Sequence, residues 1–275
     1  QLNTAPIYAV TGTNGKTTTV TLLAQMLADR KTELCGNVGT SFAATAVEGG
    51  YAAAVVEVSS FQLETIRTFH PHAAAILNIA PDHLDRYADM DEYAAAKLRI
   101  AENMTADDLL LLGADDIEAG YLDRLHTSAR VAYVSTKARV SGAYCLDNRL
   151  YIDGEYLCDR DRLALQGEHN VKNALTAAAM ALFAGAAQGD VVRAMGAFTG
   201  VEHRIEYVRS VGGKAYYNDS KGTNIAATLC ACRTFSCPIC LIAGGSDKGL
   251  DYRPLFRSLP ENVAEVIVTG QTTEK

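Results

Sequence analysis

Apolar residues in the first half of the chain gather in short runs that are separated by longer amphipathic stretches. Four runs, at residues 7–10, 52–58, 73–79 and 109–112, are strand-sized and mostly uninterrupted by polar residues. Such runs are typical of strands whose two faces are both buried. We therefore predict a strand at each of them.

The stretches between these runs show helical spacing instead. In residues 17–30, the apolar positions Val20, Leu23 and Leu27 fall on one stripe of a helix. Residues 91–104 form a second predicted helix, with Asp89 and Glu92 as its capping box. Buried strands that alternate with helices predict an α/β fold with a mostly parallel sheet covered on both faces.

The pattern changes after residue 130. Short β-like pieces at 131–133, 143–146 and 149–152 are joined by turn-forming residues, which predicts a small antiparallel insertion before a helix at 170–187. From Gly200 the pieces 215–217, 239–243 and 266–268 predict strands around a helix at 225–233. We place the boundary between a first domain, 1–201, and a second, partial α/β domain, 202–275.

Composition narrows the class of protein. The chain has 275 residues, 48% of them hydrophobic and 21% charged, which is ordinary for a globular protein with a sizeable core. Its net charge of -7 argues against a bulk nucleic-acid binder. The sequence shows neither an apolar run long enough to span a membrane nor a signal peptide, so we expect no membrane partner. Seven cysteines, an odd number, favour reduced thiols and a cytoplasmic location.

A phosphate-binding motif follows the first predicted strand. The run Thr11-Gly12-Thr13-Asn14-Gly15-Lys16-Thr17 opens the first helix, where backbone N–H groups and the helix dipole favour anions. Lys16 would contact the β- and γ-phosphates of a nucleotide, and the Thr17 hydroxyl would bind Mg²⁺. The usual first glycine is replaced by Val10, so a strand–helix turn that binds nothing stays open as the alternative.

Three further side chains suggest metal chemistry. Glu57 ends the second buried strand, His83 lies in the loop after the third, and Lys97 shares an apolar helix face with Tyr93 and Ile100. A carboxylate at a strand end beside a phosphate loop is well placed for Mg²⁺. The alternatives are a surface acid, a hydrogen-bonded loop histidine and a lysine that extends its ammonium group to water.

Three segments together resemble the Mur ligases. They are Gly-Thr-Asn-Gly-Lys-Thr at 12–17, Glu-Val-Ser-Ser-Phe-Gln-Leu-Glu at 57–64 and Asn-Asp-Ser-Lys-Gly-Thr-Asn at 218–224. The resemblance is strongest to the branch that adds D-glutamate to UDP-N-acetylmuramoyl-L-alanine, and it extends to about Asp251. It implies a P-loop ATPase domain, a Rossmann-like second domain, and an ATP-dependent ligase of peptidoglycan precursor synthesis that forms an acyl phosphate.

The resemblance also implies roles for individual residues. Two Mg²⁺ ions would be held by Thr17, Glu57, His83 and a carbamate on Lys97 derived from CO2. Catalysis would rest on Lys16, Glu57, His83, Lys97, Arg204 and Lys221. ATP would be bound by Gly12, Thr13, Asn14, Gly15, Lys16, Thr17, Thr18, Asn170, Asn173, Arg204 and Asp219. The muramoyl substrate and D-glutamate would be contacted by Asn37, Ser59, Gln62, His83, Ser220, Thr223 and Lys248.

Several alternatives stay open at the level of the sequence. The chain could be another Mur ligase, a folylpolyglutamate synthase relative, or a nucleotide-binding module without ligase activity. The resemblance implies that an N-terminal UDP-binding domain and the end of the C-terminal domain are lacking, so we expect a part of a longer gene product, acting as a monomer on small molecules. A zinc site at Cys230, Cys232, Cys237 and Cys240 is disfavoured, because the first two point to different sides of a predicted helix.

Overall fold

The computed structural model describes residues 3–84, 86–246 and 251–274. Contacts between Cα atoms divide the chain into two units, Gln1–Thr199 and Gly200–Lys275. This division falls two residues before the boundary predicted from the sequence. Each unit is described by itself below.

The first unit is built on one nine-stranded sheet with the order β2-β3-β1-β4-β5-β6-β7-β8-β9. Every neighbouring pair from β2 to β7 is parallel, and β7, β8 and β9 pair antiparallel. The strands are β1 (Ile7–Thr11), β2 (Thr32–Gly36), β3 (Ala53–Glu57), β4 (Ala73–Ile76), β5 (Leu109–Gly113), β6 (Arg130–Ser135), β7 (Gly142–Leu146), β8 (Arg149–Ile152) and β9 (Glu155–Asp159).

The four apolar runs are confirmed as strands β1, β3, β4 and β5, and all their residues are buried. The predicted antiparallel insertion is only partly correct. The piece at 131–133 belongs to β6, which pairs parallel with β5 and lies within the main sheet. Buried and partly exposed residues alternate along part of β6. This pattern is typical of a half-buried antiparallel strand, which explains the wrong prediction. Strands β7 to β9 extend the same sheet at its edge.

Helices cover both faces of this sheet. They are α1 (Lys16–Met26), α2 (Phe42–Glu48), α3 (Ser60–Leu63), α4 (Met90–Leu98), α5 (Ala119–Leu122), α6 (Glu168–Phe183) and α7 (Gln188–Ala197). Helix α6 packs against α1 and the sheet. On the opposite face, Tyr93 and Ile100 join one apolar cluster with alternate strand residues such as Ala9, Ala74 and Leu110.

Two helix predictions need correction. The predicted helix at 170–187 corresponds to α6 alone, which ends at Phe183, just before Gly185 with its φ of 84°, whereas α7 begins at Gln188 and was not predicted. The capping box at α4 is only half formed. Asp89 accepts a hydrogen bond from the Glu92 amide at 2.9 Å, but the Glu92 carboxylate accepts from the amide of Ala88 instead of Asp89.

The second unit contains two small sheets and two helices among its described residues. Strands β10 (Glu206–Val211) and β11 (Lys214–Asn218) form an antiparallel hairpin, and β12 (Ile239–Gly245) and β13 (Val263–Gly270) pair parallel. The helices are α8 (Ile225–Thr234) and α9 (Arg253–Arg257). The sequence predicted β11, α8, β12 and β13, but neither β10 nor α9. Nowhere in the described parts of either unit is a helix long and apolar enough to cross a bilayer.

Candidate active site

The loop between β1 and α1 is shaped by glycine. Gly15 precedes α1 with φ of 86°, in the left-handed region that side chains disfavour. A Cβ atom at Gly15 would also lie 2.4 Å from Oδ1 of Asn173 on α6. The backbone conformation therefore favours glycine here, and the predicted nucleotide-binding residue Asn173 borders the phosphate loop.

Two lysines converge on this loop. The Nζ atoms of Lys16 and Lys97 both donate to the carbonyl oxygen of Gly12, at 2.8 and 3.0 Å. Lys16 also donates to the carbonyl of Thr13 at 2.9 Å. Positive charge is thereby concentrated where the helix N-terminus already favours an anion.

Lys97 does not extend its ammonium group to water, because its side chain is almost fully buried. Its Nζ lies 4.5 Å from the centre of the Tyr93 ring, in the geometry of a cation–π contact. Burial, together with the nearby charge of Lys16, holds the pKa of Lys97 well below its usual range. A substantial neutral fraction of this amine is therefore accessible at a lower pH than for an ordinary lysine.

The Glu57 carboxylate is the buried acid of the site. Its Oε2 atom accepts a hydrogen bond from the Thr17 hydroxyl at 2.7 Å, and its Oε1 atom accepts from the Asn37 side-chain amide at 2.8 Å. The backbone amide of Asn37 also donates to the Glu57 carbonyl at 2.8 Å. The carboxylate at the end of β3 is thus held by hydrogen bonds against the first turn of α1.

The loop after β4 is joined to the phosphate loop. Asn78 accepts from the amide of Asn14 at 2.8 Å through Oδ1 and donates to the carbonyl of Asn14 at 3.0 Å through Nδ2. The Thr13 hydroxyl exchanges hydrogen bonds with the carbonyl and amide of Ala80, at 3.1 and 3.0 Å. It also lies 3.2 Å from the Tyr93 hydroxyl, whose pKa burial raises to about 12.

His83 lies in the same loop with φ of 55°, an uncommon backbone conformation for a residue other than glycine. Its amide donates to Asp82 at 3.0 Å, and its ring packs edge-on against Phe61 with centroids 4.8 Å apart. The ring centre also lies 6.3 Å from that of Tyr93. His83 is therefore held at the edge of the sheet that carries the phosphate loop.

The remaining predicted residues of the first unit fall into three places. Ser59 and Gln62 form a capping box around α3, with the Gln62 side chain accepting from the Ser59 amide at 2.8 Å. Asn173 donates to the side chain of Asn170 at 3.3 Å, at the start of α6. Thr18 is buried in the first turn of α1. The structure thus places Asn173 and Thr18 next to the phosphate loop. Ser59 and Gln62 instead form hydrogen bonds with each other.

The second unit holds its predicted residues around one turn. The amide of Ile205 donates to the Asp219 carboxylate at 3.1 Å, the amide of Lys221 donates to the carbonyl of His203 at 3.1 Å, and burial raises the pKa of Asp219. Arg204 lies in this turn with its Nε atom buried and without a hydrogen-bond partner. Ser220, Thr223 and the Lys221 side chain are exposed, whereas Lys248 lies outside the described residues.

The donor atoms of the first unit fit Mg²⁺. This ion prefers oxygen and is commonly bound by one or two carboxylates together with phosphate oxygens. The Thr17 hydroxyl and the Glu57 carboxylate supply adjacent oxygens. Within residues 3–84, 86–246 and 251–274, no group of three or more His, Cys, Asp or Glu side chains could hold a metal ion. The arrangement suits an ion shared with a phosphorylated ligand better than an ion enclosed by protein alone.

Two residues of the site were not predicted from the sequence. Asn78 and Tyr93 contact the phosphate loop from positions 64 and 80 residues away along the chain. Each lay inside a segment that the sequence did single out, Asn78 beside His83 and Tyr93 one helical turn before Lys97. Their closeness in sequence to His83 and Lys97 was the one indication that could have identified them, since no spacing rule predicts a contact between such distant segments.

Comparison with known proteins gives a consistent result. The family model described as the Mur ligase middle domain matches residues 10–181. The chain is 40% identical to the UDP-N-acetylmuramoylalanine–D-glutamate ligase of Caldanaerobacter subterraneus subsp. tengcongensis, over 100% of this chain and 62% of that protein. It is 42% identical to the ligase of the same name from Lactococcus lactis subsp. cremoris, over 98% of this chain and 61% of that protein. The chain thus spans less than two thirds of the length of these relatives.

Solved structures share the fold at lower identity. A crystal structure of MurF from Acinetobacter baumannii matches with a TM-score of 0.80 and 20% identity, over 97% of this chain and 64% of that chain. The MurF ligase from Thermotoga maritima in complex with ADP matches with a TM-score of 0.76 and 15% identity, over 98% of this chain and 67% of that chain. At these identities the comparison establishes the fold alone.

Proposed function

The chain belongs to the Mur ligase family, and on that premise we propose that it is the ATP-binding and phosphoryl-transfer part of a ligase that adds D-glutamate to UDP-N-acetylmuramoyl-L-alanine. The names of its relatives at about 40% identity support this branch over other Mur ligases. The whole ligase would act as a cytoplasmic monomer in peptidoglycan precursor synthesis.

The observation that carries the proposal is the link between Glu57 and the phosphate loop. A buried carboxylate on β3 accepts from the Thr17 hydroxyl at the start of α1, and the Nζ atoms of Lys16 and Lys97 donate to the carbonyl of Gly12 in the loop just before that helix. A carboxylate for a divalent cation and the Lys16 ammonium for phosphate oxygens are groups that phosphoryl transfer requires.

The proposed reaction has two steps. The alanyl carboxylate attacks the γ-phosphorus of ATP, so that an acyl phosphate forms and ADP leaves. The amine of D-glutamate then attacks the acyl carbon, the amide bond forms, and phosphate departs after the amine loses a proton. Neither step needs a protein nucleophile, and the residues of the site contribute by positioning groups and stabilising charge.

Each residue of the first unit has a part in this scheme. The Lys16 ammonium would stabilise charge on the β- and γ-phosphates, and the amides at the start of α1 would bind phosphate oxygens. Thr17 and Glu57 would hold one Mg²⁺, and His83 would help to hold a second. Bound Mg²⁺ would neutralise negative charge that otherwise repels the attacking carboxylate.

Lys97 would hold the second cation as a carbamate. Carbamate formation requires a neutral amine, and the lowered pKa of this buried side chain supports that condition. The carbamate nitrogen retains one N–H, which can keep the contact with the Gly12 carbonyl. An anion at this position would also compensate the charge of Lys16.

The other proposed contacts involve substrates. Asn37, Ser59, Gln62 and His83 are proposed for the muramoyl substrate, and Asn170 and Asn173 for the nucleotide. In the second unit, Arg204, Asp219 and Lys221 are proposed to act on the nucleotide, and Ser220, Thr223 and Lys248 on the incoming amino acid.

Phosphate release tests this proposal. The chain is incubated with Mg-ATP alone, with either substrate added singly, and with UDP-N-acetylmuramoyl-L-alanine and D-glutamate together. We expect release that requires both substrates and is lost in Lys16→Ala, while Lys137→Ala, a change at an exposed lysine, behaves as the wild type. Release that ignores the substrates, or that survives Lys16→Ala, would overturn the proposal.

A further inference from the structure

The tip of the phosphate loop is fastened to a different strand by one side chain. Asn78 follows β4, and its amide group binds both backbone groups of Asn14, the amide at 2.8 Å and the carbonyl at 3.0 Å. Its own carbonyl accepts from the amide of Thr13 at 3.1 Å. A single residue therefore makes three hydrogen bonds to two consecutive loop residues.

These bonds occupy the amides of two loop residues. The amides of Thr13 and Asn14 already donate to Asn78. The first i to i−4 bond of α1 runs from the amide of Thr19 to the carbonyl of Gly15, at 3.0 Å. The amides just before Thr19 belong to the helix N-terminus, where N–H groups point along the axis and attract anions. In this structure Asn78 therefore takes up the amides at the loop tip, next to the helix end that favours anions.

We propose that Asn78 is a positioning residue that holds the phosphate loop in its nucleotide-binding conformation before the nucleotide arrives. The inference rests on the proposed function, because it concerns the same nucleotide site. A loop that is already ordered binds more tightly than a loop that must be ordered by the ligand, since only the competent fraction binds. Asn78 itself need not touch the nucleotide.

The same attachment connects the loop to the rest of the site. Asn78 and Ala80 both bond to Thr13 or Asn14, and His83 follows three residues after Ala80. The phosphate loop and the loop that carries His83 are therefore joined by several hydrogen bonds. Removal of the Asn78 side chain breaks the two bonds to Asn14 and leaves those to Thr13, so the loosening should be detected at Asn14.

The chain offers a matched control. Asn103 also donates two hydrogen bonds from its side-chain amide to backbone carbonyls, those of Arg67 at 3.1 Å and Phe69 at 3.0 Å. None of these groups belongs to the phosphate loop. Asn103→Ala removes a comparable pair of bonds, so it reports the cost of such a loss for stability alone.

The experiment compares Mg-ATP affinity by titration calorimetry with amide hydrogen exchange in the nucleotide-free chain. For Asn78→Ala we expect a Kd about tenfold higher than in the wild type, equivalent to about 1.4 kcal/mol, and faster exchange at Asn14. Asn103→Ala should keep the wild-type Kd and the slow exchange at Asn14. Equal Kd values for Asn78→Ala and the wild type would overturn the inference.

Two further measurements keep the outcome decisive. If Asn78→Ala does not fold, Asn78→Asp replaces it. This side chain has the same size, keeps an acceptor for the Asn14 amide and loses the donor to the Asn14 carbonyl, so exchange at Asn14 should stay slow, and rapid exchange there would overturn the inference. Rapid exchange at Asn14 in the nucleotide-free wild type would overturn the inference without any variant. A wild-type chain that binds no Mg-ATP would instead overturn the proposed function, whereas the exchange data would still decide whether Asn78 holds the loop.

Discussion

Lys16 and Lys97 share one acceptor, since their Nζ atoms lie 2.8 and 3.0 Å from the carbonyl oxygen of Gly12. Two ammonium groups in such an arrangement repel each other, and the burial of Lys97 leaves little water to screen that repulsion. A bound triphosphate, or a carbamate on Lys97, would relieve it. The site is therefore electrostatically prepared for an anion.

The burial of Lys97 predicts a pH-dependent stability. Because its pKa is lowered in the folded chain, the unfolded chain binds more protons at this side chain. The free energy of unfolding therefore rises with pH between the lowered pKa and the ordinary value of about 10.4. Lys97→Met removes this effect and should be more stable near neutral pH by about 1 kcal/mol or more.

Thermal unfolding of both chains in CO2-free buffer, at several pH values from about 7 to about 10, measures the effect. The advantage of Lys97→Met should shrink steadily as the pH rises. A difference in stability that stays constant over this range would show that folding does not lower the pKa of Lys97.

Chemical rescue tests the proposed carbamate. Lys97→Ala should lose substrate-dependent phosphate release, because the anion that would hold the second Mg²⁺ is absent. A short carboxylate such as acetate can enter the space that is left and should restore part of the activity. Lys16→Ala serves as the control and should not respond to acetate. Full activity of Lys97→Ala without acetate would contradict the carbamate.

The Glu57 carboxylate should determine how nucleotide binding depends on Mg²⁺. Glu57→Gln keeps the size of the side chain and an acceptor for the Thr17 hydroxyl, but it removes the charge that attracts a divalent cation. We expect the gain in ATP affinity on addition of Mg²⁺ to fall about tenfold, a loss of about 1.4 kcal/mol. Titrations with and without Mg²⁺ measure this gain. An unchanged gain would remove Glu57 from the metal site.

Gly15→Ala should disturb the loop through its backbone. The new Cβ would lie 2.4 Å from Oδ1 of Asn173 at φ of 86°, so both the conformation and the packing oppose it. We expect a lower melting temperature and a loss of Mg-ATP binding. Gly189→Ala is the matched control, because a Cβ there meets nothing within 4 Å and Gly189 lies in α7. It should leave the melting temperature and Mg-ATP binding close to those of the wild type. Equal behaviour of the two variants would contradict the tight approach of α6.

The buried strands were predictable because burial on both faces leaves a simple signature. Residues Ala53–Glu57 and Leu109–Gly113 are buried throughout, so nearly every position is apolar. Strand β2 (Thr32–Gly36) was missed, since only Cys35 is buried and the strand lies at the sheet edge. Two adjacent apolar residues, Leu34 and Cys35, in a strand of five give no period to detect.

The residues of the candidate site were likewise predictable only where they form a local sequence pattern. Gly15, Lys16 and Glu57 could be found because a loop that binds phosphate and a carboxylate at a strand end have fixed local patterns. The bonds from Asn78 to Asn14 and from Tyr93 to Thr13 join distant segments, and asparagine or tyrosine at such positions has many other uses. The packing of β4 and α4 against the loop decides these contacts, and that packing is a property of the fold.

Transfer of an oxygen isotope tests the central claim most directly. UDP-N-acetylmuramoyl-L-alanine labelled with ¹⁸O in its alanyl carboxylate is incubated with the chain, Mg-ATP and D-glutamate, and the released phosphate is analysed by mass spectrometry. An acyl phosphate carries one carboxylate oxygen into the phosphate that leaves, so we predict one ¹⁸O atom in each phosphate released. Phosphate without the label would show that ATP is hydrolysed by water and would contradict the ligase mechanism.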